Sequence, residues 1–415
     1  MTRGLGALTC VVVCLSGPCP SARAGDWPQI LGQNRNGIAV EEPIVSRWPA
    51  EGPPVSWERP VGSGFAGVAV VGDRVLVFQR ERSSELLESL DAGSGTPIWR
   101  KSSAETTFYP QVGGGDGPLC VPTVAGDVVV TYGAQGVLTA HRLDTGEILW
   151  QRATHKDFGA QEGYFGAGSS PLVAGDTVIV NVGGSRAQSG IVGFDLATGE
   201  TRWTQSAEQA SYSAPVLTEF SGVPAAIVIT RLKCIALDPK TGGLFWQFPF
   251  GQRGPTVNGA APLMWDGRMF VTASYGIGAA CYDVGLGGFK PLWESDNLLS
   301  SQYTTPILHD GVLYGIHGRD DVPPSDLVCI DPIKQTTLWR EPSFGYATLI
   351  GAGNQVIAVK TDGTIVLFAC DRNAYRPLAK SRVFRSTVRA LPALANGGLY
   401  LRDESTLKRF DVSAR

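Results

Sequence analysis

Four tyrosines, Tyr164, Tyr212, Tyr303 and Tyr346, recur in loops just ahead of apolar runs that open near Pro171, Pro215, Pro306 and Thr348. Arg253, Asn258 and Gln302 stand in the companion loops. Phenols, an amide pair and a guanidinium supply stacking and hydrogen bonds but no nucleophile with its base. Brought together, they would make a polar, aromatic-rimmed face for a peptide strand, a glycan or a cofactor. The plainer reading is that the tyrosines only line loop tips.

The remaining reactive side chains are scattered. Asp116, Asp157 and Glu162 could offer carboxylates to the same face, yet no ligand cluster has fixed spacing. Gly113-Gly-Gly-Asp-Gly117 resembles a phosphate loop but lacks the following Lys-Ser/Thr and a helix. His141, His155, His309 and His317 have no GxSxG or HExxH context and read as surface or edge histidines. No catalytic residue, cofactor site or metal site is assigned.

Composition narrows the class. The chain has 415 residues with 52 glycines, and charged residues are only 18%. A Val-rich, turn-rich, charge-poor chain reads as all-β. Net charge is −3 with no basic block, which argues against a phosphate-backbone partner such as a nucleic acid.

Residues 1–24 read as a signal peptide: Arg3, the apolar run Leu8 to Leu15, and Ala22-Arg-Ala24 as a cleavage site. The run is too short to span a bilayer. Pro18 stands where a lipobox would need Cys, since Cys19 comes one position late. The reading is therefore a periplasmic or secreted protein without a lipid anchor and without a membrane span. Cys10, Cys14 and Cys19 leave with the leader. Cys120, Cys234, Cys281, Cys329 and Cys370 remain, widely spaced and odd in number, and read as buried thiols with one disulfide as the alternative.

These loops must be positioned by what lies between them, and that is a repeat. Ala236, Asp238, Thr241, Gly242 and Trp246 define the skeleton Ala-x-Asp-x-x-Thr-Gly-x-x-x-Trp. Asp91 with Trp99, Asp195 with Trp203, and Asp331 with Trp339 keep the same Asp-to-Trp spacing. Trp57, Trp150 and Trp293 extend the ladder, with steps from 42 residues (Trp57 to Trp99) to 53 (Trp150 to Trp203). Each unit opens with an apolar run and a Gly-Asp or Asp-Gly turn, then alternates as a strand does. Four short strands per unit at such a period predict an all-β, eight-bladed β-propeller of four-stranded antiparallel blades. Seven blades is the alternative, because the seventh unit has no Trp and the eighth stops after three strands. Residues 25–50 form an N-terminal arm, and 51–415 the propeller. The strand at 54–57 is expected to close the ring and remove the exposed sheet edge. The Asp should accept backbone N–H groups in the turn, and the small residue at the Ala236 position should leave room for an indole.

The skeleton resembles the tryptophan-docking repeat of the pyrroloquinoline quinone (PQQ)-like propeller family, over about Pro54 to Val412. The opening Trp27-Pro-x-x-x-Gly-x-x-Arg-x-Gly37 is similar to the start of exported PQQ-like repeat proteins. The resemblance implies one of two branches. Quinoprotein dehydrogenases hold PQQ and calcium, and their alcohol branch carries adjacent cysteines, which this sequence lacks. The other branch is the non-enzymatic, usually lipid-anchored scaffold of the outer-membrane β-barrel assembly machinery, which the chain resembles more.

The expectation is an exported, non-catalytic scaffold that binds envelope proteins or peptide segments. The alternatives are a quinoprotein-type oxidoreductase with PQQ and Ca²⁺ at the channel mouth, and a glycan-binding module.

Overall fold

A computed structural model describes residues 25–106, 116–161 and 163–414. The expected leader, with its three cysteines, lies outside the described residues, as do residues 113–115 of the glycine loop and Glu162.

The described residues form eight antiparallel blades arranged as a ring. Blade 1 starts at Ala69–Val71, blade 2 at Thr123–Ala125, blade 3 at Leu172–Ala174 and blade 4 at Val216–Phe220. Blades 5 to 8 start at Leu263–Trp265, Ile307–His309, Ala347–Ala352 and Ala393–Ala395. Each blade's two faces lie against its neighbours, so its middle strands are apolar on both sides. Val128–Tyr132 and Thr177–Asn181 are buried at every position. The outermost strands, such as Ile148–Ala153, bury the Trp and expose much of the rest.

Blade 8 is completed by the N-terminal strand Val55–Pro60, which pairs antiparallel with Thr406–Asp411 (Trp57 opposite Arg409). Blade 7 is also a full blade, ending in Pro377–Arg382. Its outer strand carries Ala379 opposite Leu367, the register position that Trp246 holds opposite Ala236. Trp48 of the arm joins the buried cluster against which Ala379 packs, and its N–H donates to Ser381 Oγ at 3.1 Å.

The other seven outer strands each send an indole N–H to a backbone carbonyl of the following blade. Trp246 reaches Gly285 O at 2.9 Å, Trp150 reaches Leu196 O at 2.8 Å and Trp57 reaches Ala92 O at 2.9 Å. Within its own blade the indole lies opposite a small residue, namely Ser89, Ala140, Gly193, Ala236, Cys281 or Cys329. Trp57, opposite Arg409 in the closing strand pair, is the exception. The skeleton's aspartates tie the turns. Asp238 Oδ1 accepts the Lys240 N–H at 2.8 Å, and its Oδ2 accepts the Thr241 hydroxyl at 2.8 Å. Gly242 follows at φ +71, where a side chain would be strained.

All five cysteines of the described residues are free thiols, four of them buried. His141 corrects the reading of the histidines as surface or edge residues. It is fully buried in the third strand of blade 2, with Nδ1 3.2 Å from Gly146 O. Burial lowers its pKa to about 4, so the ring packs as a neutral side chain.

Candidate functional site

In an antiparallel blade, the loop entering the first strand and the turn between strands two and three share one end. The turns between strands one and two occupy the other end. At the strand-entry end the loops of several blades surround a cleft of about 400 Å³. Its floor includes Ile30 from the N-terminal arm.

Tyr212 and Tyr303 lie in this cleft, each four residues ahead of its blade's first strand. Tyr212 is clamped from both ends. Its N–H donates to Asn258 O at 3.0 Å, and its hydroxyl accepts the Phe165 N–H at 3.0 Å. Phe165 stacks obliquely on it, with centroids 5.7 Å apart. Tyr164 sits at the outer lip and is 62% exposed. Gln302 is buried and bonded on every side. Its Nε2 donates to Tyr275 OH at 2.7 Å and to Asp321 Oδ1 at 3.1 Å, while its Oε1 accepts the Asp320 N–H at 2.8 Å.

The other predicted residues fall elsewhere. Tyr346 is buried beneath Tyr303, with ring centroids 4.4 Å apart. Its hydroxyl accepts the N–H groups of Tyr303 (2.7 Å) and Thr304 (3.1 Å), so it supports the loop from below rather than standing at the rim. It directly precedes its strand, which draws it under the loop. Asn258 is buried and spends its Nδ2 on Thr230 O and Arg231 O at 3.2 and 3.1 Å. Arg253 is exposed on the same loop, outside the cleft wall. Asp116 pairs with Arg80, and Asp157 with Arg152 at 3.0 Å.

The structure adds residues from the turns between strands two and three. Arg319 lies over the Tyr275 ring, with its guanidinium carbon 4.2 Å from the centroid, and its Nε donates to Asp321 Oδ1 at 2.9 Å. Arg389, from the loop entering blade 8, pairs with Asp320 at 2.9 Å. Ser274-Tyr-Gly-Ile-Gly278 and Gly318-Arg-Asp-Asp321 are legible as turns in the sequence. The alternation of the blade puts them at the same end as the strand-entry loops, and that is the signal by which they can be found. Beyond Tyr212 a second recess of about 350 Å³ is bounded by His155, Asn181 and Arg231.

Burial pushes the phenols of Tyr212, Tyr275 and Tyr303 upward, and the Arg319 guanidinium holds the Asp321 carboxyl below its usual value. At neutral pH the phenols are protonated and Asp321 is ionised. That is contact chemistry rather than proton transfer.

The residues present do not fit PQQ with calcium. Asp320 and Asp321 are already engaged by Arg389 and Arg319. Among the described residues no group of three or more His, Cys, Asp or Glu is placed to hold a metal ion. The channel below the cleft is occupied by the arm, with Arg35 buried against carbonyls of blades 3 and 4. Among the described residues no helix is long and apolar enough to cross a membrane.

Comparison with known proteins points one way in sequence and two ways in shape. A family model described as outer membrane protein assembly factor BamB matches residues 82–341. The BamB of Burkholderia pseudomallei is 26% identical over 363 residues, 83% of this chain and 84% of that one. The BamB of Bordetella pertussis is 27% identical over 260 residues, and the match spans 58% of each chain. In structure, BamB from Moraxella catarrhalis aligns with a TM-score of 0.63 at 18% identity, covering 87% of this chain and 99% of that one. The quinohemoprotein alcohol dehydrogenase of Comamonas testosteroni aligns with a TM-score of 0.66 at 14% identity, covering 95% and 81%. The two structural likenesses share the fold alone.

Proposed function

We propose, from the premise that this chain belongs to the family of the outer membrane protein assembly factor BamB, that it is a non-catalytic propeller scaffold of the cell envelope. Its strand-entry cleft binds an extended segment of a partner protein engaged in outer-membrane assembly. The observation that carries this reading is the Arg319–Tyr275 stack, buttressed by Gln302 and Asp321 at the cleft wall. Arg and Tyr are the side chains that dominate protein–protein contact energies, and here both are fixed before a partner arrives. Two further points favour a contact surface. The arm closes the cleft's floor, so the cleft receives a segment instead of passing one through. The ionised and protonated states of its side chains suit hydrogen bonding at neutral pH. The leader read in residues 1–24 would deliver the chain to the envelope.

The test uses the tagged full-length chain, isolated from envelopes with its bound proteins. Wild type is expected to retain outer-membrane assembly proteins. A Tyr275→Ala, Arg319→Ala double variant of unchanged melting temperature should retain about tenfold less, the loss typical of one or two central contacts. Equal retention by both forms would rule the cleft out as the contact surface.

A further inference from the structure

The arm's opening, Trp27-Pro-x-x-x-Gly-x-x-Arg-x-Gly37, is not explained by the blade repeat, yet each of its fixed residues has a place. Trp27 exchanges both backbone hydrogen bonds with Val70 of blade 1 at 2.8 Å, and Pro28 O accepts the Val124 N–H of blade 2 at 2.8 Å. A β-carbon on Gly32 (φ +78) would stand 3.0 Å from the Trp27 ring. One on Gly37 (φ +76) would stand 2.7 Å from Ile307 of blade 6. Ile30 and Leu31 pack with Ala214 and Ala261, which enter blades 4 and 5. Ile38–Ala39 then pairs parallel with blade 7, and Glu42 accepts backbone N–H groups of Asn396 and Gly397 in blade 8.

Arg35 lies at the centre of this path and is 2% exposed. Its Nη1 donates to Pro215 O of the blade 4 entry at 2.8 Å, and more distantly to Ser170 O at 3.4 Å. Its Nη2 donates to Pro171 O of the blade 3 entry, and to Thr123 Oγ1 of blade 2 at 3.4 Å. Its Nε donates to Gln29 Oε1 at 2.8 Å within the arm. All these acceptors are neutral, and none is a carboxylate. A buried cation held by carbonyl and hydroxyl dipoles depends on geometry, because no counter-charge holds it from a distance. Three blades present their carbonyls and hydroxyl in the directions of a planar, five-donor fork, which a point ammonium cannot match.

We propose that the axis of the ring is a guanidinium-binding site, built from Thr123, Ser170, Pro171 and Pro215, whose resident ligand is Arg35. The arm is then a hub whose strand pairings at blades 1 and 7 are joined to blades 2, 3 and 4 by this side chain. The adjacent blades 2, 3 and 4 share the ligand, so filling or emptying the site changes how firmly they are held together.

The experiment is chemical rescue in the full-length chain. Arg35→Ala leaves a hole of the ligand's shape and should lower the melting temperature by at least about 3 °C, given the size of this chain. Ethylguanidinium at about 10 mM should return a saturable part of that loss and leave wild type unmoved, as linkage to a site vacant only in the variant requires. Ethylammonium and urea at the same concentration should not, one lacking the fork and the other the charge. Arg35→Lys should fall nearly as far as Arg35→Ala. The proposal is overturned if ethylguanidinium shifts wild type and Arg35→Ala alike, shifts neither, or acts no better than ethylammonium. It is also overturned if Arg35→Lys melts with wild type. Should a variant fail to fold unaided, its refolding yield with each compound replaces the melting temperature, and the same outcomes support or overturn the site.

Discussion

The indole of Trp203 in blade 3 lies directly against Gly242 in blade 4. Its N–H donates to Pro239 O at 3.2 Å, and a β-carbon on Gly242 would stand 2.6 Å from the ring. The same contact recurs between Trp57 and Gly95, Trp99 and Gly146, and Trp150 and Gly199. The repeat's glycine therefore serves two ends, a left-handed turn and a seat for the preceding blade's tryptophan. Gly242→Ala should lose roughly 2–4 kcal/mol, combining backbone strain with overpacking. Gly175→Ala shares the positive φ (+61) but meets nothing within 4 Å, and should lose only about 1 kcal/mol. Denaturant titration of both variants separates the two contributions.

Trp48 supports the one blade junction whose outer strand lacks an indole. Trp48→Ala should cost roughly 3–5 kcal/mol, as removal of a buried aromatic does. Trp57→Ala in the closing strand should cost a similar amount. Only Trp48→Ala also loses the contact with Ser381, so it should be cut faster near the arm than Trp57→Ala in limited proteolysis.

Tyr346 and Tyr164 should behave oppositely. Tyr346→Phe removes the acceptor of the Tyr303 and Thr304 N–H groups in a buried site and should destabilise the chain by about 1–3 kcal/mol. Tyr164→Ala, at an exposed lip, should leave the melting temperature unchanged within error. Thermal unfolding of both variants is sufficient to tell.

Glu85 makes stability depend on pH. Burial raises its pKa from 4.5 to about 7, against the opposing effects of the Ala134 N–H bond and Arg80. A carboxyl whose pKa is higher folded than unfolded contributes stability that is full below about 4.5 and lost as pH rises through 7. Wild type should therefore lose up to about 3 kcal/mol relative to Glu85→Gln between about pH 5 and pH 8. Parallel melts across that range test the sign as well as the size.

The ring is readable in the sequence because its parts are written as side chains at fixed spacing. Asp238, Thr241, Gly242 and Trp246 announce a turn and an inter-blade contact, and the number of apolar runs points to eight blades but leaves seven open, because the seventh unit has no Trp and the eighth has only three strands of its own. Trp48 and the arm are harder to read. The arm's partners are mostly backbone carbonyls and N–H groups, such as Pro171 O, Pro215 O and Val70 N–H, and a carbonyl leaves no mark on the residue type that carries it. The tyrosines are visible, but their offsets from the strand differ. Tyr212 and Tyr303, four residues ahead, reach the cleft, and Tyr346, one residue ahead, is drawn under it. Arg319 and Tyr275 belong to the second of the two loop sets that share an end, and their stacking joins turns of different blades that no local spacing connects.

If the strand-entry cleft, rather than the opposite face, meets the partner, site-specific photo-crosslinking in living cells shows it most directly. One crosslinker replaces Tyr164 at the lip of the cleft and another replaces Leu286, exposed on the turn face. The cleft position is expected to form discrete adducts with outer-membrane assembly proteins, and the Leu286 position to form none. Adducts from the Leu286 position with none from the Tyr164 position would contradict binding in the cleft.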